Sequence, residues 1–236
     1  MSSGDILAAL AVAVGVAVQA VTGFGFSLVS APFLIAAYRA PTGVQLTLLL
    51  SMAVNVAVLG REHRHVDGRA AGLLLAPALV AVVPAAYAVR RLSPGPLTVA
   101  AGVVCLAAVA ALAAGIRFRR GNGPAGTAVV GFLSGAMNVV SGLSGPPVVL
   151  FALNARWPPQ RARPTMQLFF LGLNVVTLVA LGPPDRVPLG LVAAFAAGVA
   201  GGALLPGRPS PAAVRTATLA IAAIGSVLAI WRGLTA

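Results

Sequence analysis

The sequence is poor in residues that carry acid, base or redox chemistry. Among 236 residues there are four carboxylates, two histidines, one cysteine and no lysine. A single cysteine cannot form a disulfide within the chain, and we interpret Cys105 as a small apolar core residue. No carboxylate lies inside the apolar runs, so a relay of buried carboxylates is not expected.

The chain also lacks the polar surface of a soluble domain. Only 8% of residues are charged, 59% are apolar, and the mean hydropathy is +0.98. This composition predicts an all-α polytopic membrane protein. Six apolar runs have the length of a membrane span of about 20 residues: 42–60, 70–89, 96–116, 163–181, 187–205 and 212–231. No basic residue precedes the first apolar segment, so we expect the N-terminus to be retained.

Two further apolar stretches are interrupted near their middles. Residues 6–38 contain Thr22-Gly23-Phe24-Gly25-Phe26-Ser27, and residues 126–154 contain Ser141-Gly142-Leu143-Ser144-Gly145-Pro146-Pro147. We predict structural breaks there, with Pro32, Pro146 and Pro147 also holding the chain away from a continuous helix. Backbone N–H and C=O groups that lack a helical hydrogen bond are tolerated inside a bilayer where they line a cavity. These breaks are therefore the expected binding site for a substrate.

The two broken stretches begin two related halves of about four hydrophobic segments each. At an offset of 119 residues, Gln19 aligns with Asn138, Thr22 with Ser141, Gly23 with Gly142, and Asn55 with Asn174. The sequence therefore predicts repeats over residues 1–120 and 121–236, which together form one transport domain.

The arginines predict how the halves are oriented. The net charge of +12 could indicate a nucleic-acid partner, but the arginines occupy the gaps between apolar runs, which membrane topology explains better. If each broken stretch turns back as a hairpin, eleven of the sixteen Arg fall on one face. Because cytoplasmic loops are enriched in Arg, this favours an inverted repeat with both termini outside. Single crossings would divide the Arg evenly and are the open alternative.

Helix ends at the two breaks would form a site suited to an anion. Half-helix N-termini expose unpaired N–H groups and carry about half a positive charge, so no buried Arg is needed. Hydroxyls and amides near the breaks would donate further hydrogen bonds. The predicted substrate-binding residues are Gln19, Thr22, Gly23, Gly25, Ser27, Asn55, Asn138, Ser141, Gly142, Ser144, Gly145 and Asn174. Gln45 and Gln167 lie near the starts of their runs, where a membrane interface is an alternative location.

The order and spacing of these motifs resemble the sulfite exporter TauE/SafE family. The resemblance covers nearly the whole chain, including Ser30-Ala31-Pro32-Phe33-Leu34, Gly131-Phe132-Leu133-Ser134-Gly135 and the second break. It implies a multi-pass permease of a bacterial-type plasma membrane for sulfite, a sulfonate or another small sulfur-containing or organic anion. We expect alternating access at a midplane site, contact with lipid, and no cofactor, metal or nucleic-acid partner. The sequence leaves open whether the protein forms a homodimer.

Three other interpretations fit parts of the sequence. Gly142-Leu143-Ser144-Gly145 resembles the G-x-S-G motif of intramembrane serine proteases, but Ser144 lacks a histidine base in any apolar run. The connection from Glu62 to Asp67 contains two histidines and two carboxylates that could bind Zn²⁺, although the two arginines beside them, Arg61 and Arg64, oppose a cation. A membrane scaffold without transport activity gives no reason for paired polar breaks. We therefore expect a transporter and not an enzyme.

Overall fold

The described residues form a bundle of helices. The computed structural model describes residues 3–115, 123–204 and 210–235, and every regular element within them is helical. Four of the arginines counted for the topology lie outside the described residues: Arg117, Arg119, Arg120 and Arg208. The predicted repeat boundary at 120/121 also lies outside them.

The helices are α1 (Ser3–Thr22), α2 (Phe26–Tyr38), α3 (Thr42–Glu62), α4 (Gly68–Arg91), α5 (Pro94–Ala113), α6 (Pro124–Ser141), α7 (Gly145–Asn154), α8 (Pro159–Leu181), α9 (Leu189–Leu204) and α10 (Pro211–Leu234), with a 3₁₀ turn at His63–His65 between α3 and α4.

Seven of these helices are long and apolar enough to cross a membrane: α1, α3, α4, α5, α6, α8 and α10. The other three, α2, α7 and α9, are apolar but shorter. The prediction of an all-α polytopic membrane protein is therefore confirmed. The inverted relation between its halves stays a prediction.

Glycine separates the helices in both broken stretches, but the pieces are unequal. Gly23 has φ +82° and Gly142 has φ +69°, a left-handed conformation that ends α1 and α6 and that glycine adopts without strain. The sequence predicted that each stretch is interrupted near its middle. Instead α1 has 20 residues and α6 has 18, whereas α2 and α7 have 13 and 10. The glycines follow about five complete turns of apolar helix, which leaves only the second piece short.

The first broken stretch folds as a helical hairpin. Ser30 Oγ donates to the carbonyl oxygen of Ala11 at 3.1 Å, and the backbone N–H of Phe26 donates to Gln19 Oε1 at 3.0 Å. These contacts join residues before and after the break in reverse order, so α2 runs antiparallel to α1. In the second stretch α7 likewise packs against α6.

The prolines do not act as predicted. Pro32 lies inside α2, which continues through it, so Pro32 is not a break. Pro146 and Pro147 lie in the first turn of α7, where a backbone N–H has no partner within the helix in any case. They begin a helix, and the interruption itself is the preceding glycine-containing turn.

Helices of the two halves interleave. α1 packs on α9, α4 on α6, α5 on α10, and α3 on α8. Small residues permit the closest approaches: a methyl group added at Gly131 or Gly135 of α6 would overlap the carbonyl oxygens of Leu74 and Ala78 of α4. The glycines of the Gly131-to-Gly135 motif therefore serve helix packing.

Candidate functional site

The two broken stretches meet at one cavity. The cavity lies between the start of α2, the start of α7 and the middle of α3. Its volume, counted as the space open to the centre of a water molecule, is about 30 Å³. A single water needs about 10 to 15 Å³ of such space, so the cavity accepts only a few water-sized groups. Its polar lining consists of Gln19, Gly25, Ser27, Ser51, Asn55, Ser144 and Gly145. Its apolar lining consists of Phe24, Leu28, Leu112, Leu143, Pro146, Val149 and Phe170.

The helix N-termini at this cavity differ in the hydrogen bonds they offer. α2 begins at Phe26, and the N–H groups of Ser27 and Leu28 in its first turn have no acceptor within the helix. At the start of α7 two of the corresponding positions are proline, which has no N–H. Gly145 therefore supplies the principal backbone donor of α7. Both helix N-termini still contribute partial positive charge to the same space.

Asn55 has an unusual position on α3. Its side chain is fully buried, it lines the cavity, and neither the amide nitrogen nor the amide oxygen has a hydrogen-bond partner. A buried unsatisfied polar group destabilises a folded protein by about 1 to 3 kcal/mol. An amide that leaves a donor and an acceptor unpaired beside a cavity is suited to bind whatever enters that cavity.

Two glutamines hold the first break in place. Gln19 Nε2 donates to Gln167 Oε1 at 3.2 Å, and Gln167 Nε2 donates to the carbonyl oxygen of Gly23 at 2.6 Å. Gln167 is fully buried within the protein. Gln45 is also buried and donates from Nε2 to the Leu181 carbonyl oxygen at 3.3 Å. The location of both residues relative to a membrane interface stays a prediction.

A second amide network lies behind the cavity. Asn138 Nδ2 donates to Asn174 Oδ1 at 3.1 Å and to Thr177 Oγ1 at 3.1 Å. Asn174 Nδ2 in turn donates to Ser51 Oγ at 3.2 Å. Ser51 lines the cavity and its own hydroxyl hydrogen stays free to donate, so this network orients a lining residue from behind.

Half of the predicted binding residues line the cavity: Gln19, Gly25, Ser27, Asn55, Ser144 and Gly145. The other six do not: Thr22, Gly23, Asn138, Ser141, Gly142 and Asn174. The Thr22 hydroxyl contacts the backbone oxygens of Val18 and Phe24, and the Ser141 hydroxyl donates to the Met137 carbonyl oxygen. Gly23 packs against the side chain of Arg163, and Gly142 packs against Thr47.

Two notable lining residues, Ser51 and Phe170, were not predicted from the sequence. Ser51 lies four residues before Asn55 on α3, so the two side chains share one face of that helix. The spacing could have identified Ser51. Nothing in the sequence distinguished Phe170 from the other apolar residues of α8.

The residues that line the cavity carry no charge and include no histidine. Ser144 therefore has no base beside it in the described part of the chain, and a protease at G-x-S-G gains no support. His63 and His65 are exposed in the 3₁₀ turn. No group of three or more histidine, cysteine or carboxylate side chains that could bind a metal ion occurs among the described residues.

Both carboxylates of the α3–α4 connection contact arginines at the start of α8. Asp67 Oδ2 accepts from Arg161 Nη2 at 2.6 Å, and Glu62 Oε1 lies 3.4 Å from Arg163 Nε. Asp67 also caps α4 by accepting from the backbone N–H of Ala70 at 2.9 Å. The hydrogen bond from Ala70, followed by the hydrogen bond and charge of Arg161, lowers the pKa of Asp67 despite some desolvation. Arg163 donates further to the carbonyl oxygen of Ala20 at 3.0 Å.

The sequence matches one family model. The family is described as Sulfite exporter TauE/SafE, and the match extends over residues 7–232, nearly the whole chain. No curated protein and no solved structure matches the chain.

Proposed function

The chain belongs to the sulfite exporter TauE/SafE family, and from this we propose that it moves a small sulfur-containing or organic anion, such as sulfite or a sulfonate, across the cell membrane. The protein is a multi-pass membrane protein of a transporter family. The observation that carries the proposal is the single cavity shared by the N-termini of α2 and α7. Two helix N-termini beside hydroxyl and amide groups attract an anion without a buried cation.

The proposed mechanism is alternating access. The anion binds between the two broken stretches near the membrane midplane, and relative movement of the helix bundle exposes it first to one side and then to the other. Ser27, Ser144 and the first-turn N–H groups of α2 donate hydrogen bonds to the anion oxygens. Asn138 and Asn174 orient Ser51, and Gly23 and Gly142 shape the breaks without direct contact.

Flux into proteoliposomes tests the proposal. Purified protein is reconstituted, and uptake of sulfite, methanesulfonate, sulfoacetate and acetate is compared with uptake into protein-free vesicles. We expect at least one sulfur-containing anion to enter faster. If none of these anions crosses faster than in empty vesicles, the transport proposal is wrong and a scaffold role regains support.

A pair of serine variants connects flux to the cavity. The double change Ser27→Ala and Ser144→Ala removes two lining hydroxyls and is expected to lower flux by about a hundredfold or more, because hydrogen bonds to charged groups contribute about 1.5 to 3 kcal/mol each and about 1.4 kcal/mol corresponds to a factor of ten. Ser134→Ala is the matched control, since the Ser134 hydroxyl is fully buried in α6, outside the cavity, and has no hydrogen-bond partner. Equal flux in both variants would place the transport path elsewhere.

A further inference from the structure

The polar groups around the cavity are mostly donors. Gln19 uses its amide oxygen to accept from the Phe26 N–H and one amide hydrogen to reach Gln167, which leaves its second amide hydrogen available. Ser51 accepts from Asn174 and so has its hydroxyl hydrogen to donate. The start of α2 adds backbone N–H donors. Such a lining stabilises oxygens that carry negative charge.

Asn55 differs because its amide leaves both a donor and an acceptor without a partner. Its amide oxygen and amide nitrogen are both unpartnered, so the exchange of the two atoms by rotation of the amide leaves the conclusion unchanged. The amide oxygen of Gln19 already accepts one hydrogen bond, so Asn55 Oδ1 is the unpartnered side-chain carbonyl among the described residues of the lining. A ligand that satisfies Asn55 completely must accept one hydrogen bond and donate another.

The charge of the lining limits the ligand further. No arginine, histidine or carboxylate lines the cavity. The cost of transferring an ion from water into a low-dielectric site rises with the square of its charge, so a dianion is penalised about four times as heavily as a monoanion. The nearby Arg163 does not offset this penalty, since it packs behind the break on Gly23 and beside Glu62.

We propose that the site selects a singly charged oxyanion that retains one hydroxyl group, and that Asn55 determines this specificity by donating to an anion oxygen and accepting from the hydroxyl. Hydrogensulfite is a small sulfur oxyanion of this class. The inference rests on the proposed function, because it names the form of the anion that the transport site binds.

Binding of matched anions tests the inference. At mildly acidic pH, where sulfite is mostly hydrogensulfite, its affinity for the purified full chain is compared with that of methanesulfonate and of sulfate by calorimetry. Methanesulfonate has the same charge and a similar size but a methyl group in place of the hydroxyl, and sulfate is a dianion. We expect hydrogensulfite to bind at least about tenfold more tightly than either.

The variant Asn55→Leu completes the test, because leucine has nearly the same size and no polar atom. In this variant hydrogensulfite and methanesulfonate are expected to bind with equal affinity, while the melting temperature of the ligand-free protein is unchanged or higher. A tenfold preference for hydrogensulfite that persists in Asn55→Leu would overturn the role of Asn55. Equal binding of hydrogensulfite and methanesulfonate by the unmodified protein would overturn the proposed requirement for a hydroxyl group on the anion but leave the proposed function intact. Binding of no anion, together with no flux, would reject the proposed function itself.

Discussion

Gln167 on α8 closes the first break of the chain from the opposite half, because its side chain bonds both Gln19 and the backbone of Gly23. The two glutamines are separated by 148 positions in the sequence. The conformation of the first break therefore depends on a residue that the local sequence around the break does not contain.

Removal of Gln167 should destabilise the protein and disturb the cavity. Gln167→Leu leaves the Gly23 carbonyl oxygen and one Gln19 amide hydrogen unpaired in a buried region, and each unpaired group costs about 1 to 3 kcal/mol. We expect a lower melting temperature and lower anion flux. Gln45→Leu is the matched control, since it breaks one buried hydrogen bond away from the break. Gln45→Leu should also lower the melting temperature, but for the same decrease in melting temperature it should reduce flux less than Gln167→Leu does. An equal reduction of flux would contradict the special role of Gln167.

Asn174 should act on transport through Ser51. Asn174→Ala removes the donor that orients the Ser51 hydroxyl, so flux should fall by severalfold although Asn174 does not line the cavity. Ser51→Ala should have a similar effect, and the double variant should be no worse than the stronger single variant, because both changes remove one function. Flux measured on all three variants checks this; additive losses would show that Asn174 acts by another route.

The contact between Asp67 and Arg161 should matter little at neutral pH. The pKa of Asp67 is lowered in the folded protein, so its stabilising contribution is complete above the ordinary carboxyl pKa of 3.8 and disappears as the pH falls through the lower folded value. The side chains of Arg161 and Asp67 are 43% and 32% exposed, so salt screens the pair. Asp67→Asn should reduce stability by at most about 1 kcal/mol, with the same difference at pH 6 and pH 8. Thermal melts at both values check it, and a large difference between them would contradict this account.

The contact between α4 and α6 should depend on Gly135. Gly135→Ala places a methyl group against the backbone of Ala78, which cannot move aside as a flexible side chain can. We expect a loss of about 1 to 3 kcal/mol from overpacking. Gly72→Ala is the control, because Gly72 lies in α4 with open space around it, and alanine favours a helix. Unfolding measured in the same detergent should separate the two variants; equal stability would mean that α4 and α6 have room to separate.

Composition and hydropathy were enough to predict the fold class, because a membrane requires long apolar helices. The position of the breaks also followed from the sequence, since Gly23 and Gly142 adopt left-handed conformations. The unequal lengths of the helices on either side of each break could not be predicted from the sequence. Pro32 could not be placed correctly from its identity alone, because a proline within a helix is tolerated when its surroundings compensate for the lost hydrogen bond.

The cavity was partly predictable. The alignment at an offset of 119 residues paired Asn55 with Asn174 as equivalent, whereas the structure places Asn55 at the cavity and Asn174 behind it, hydrogen-bonded to Ser51. The difference depends on tertiary packing between α3, α6 and α8. No periodicity within a single helix reports on those contacts.

The interleaving of the helices has a consequence for biosynthesis. α1 packs on α2 at once, but its other partner, α9, leaves the ribosome only after seven further α-helices have been made. The face of α1 that packs on α9 must therefore wait in the membrane, covered by lipid or by an insertion factor, until the later helices arrive. A nascent chain arrested before α9 should stay open to proteases long after most of its spans have inserted.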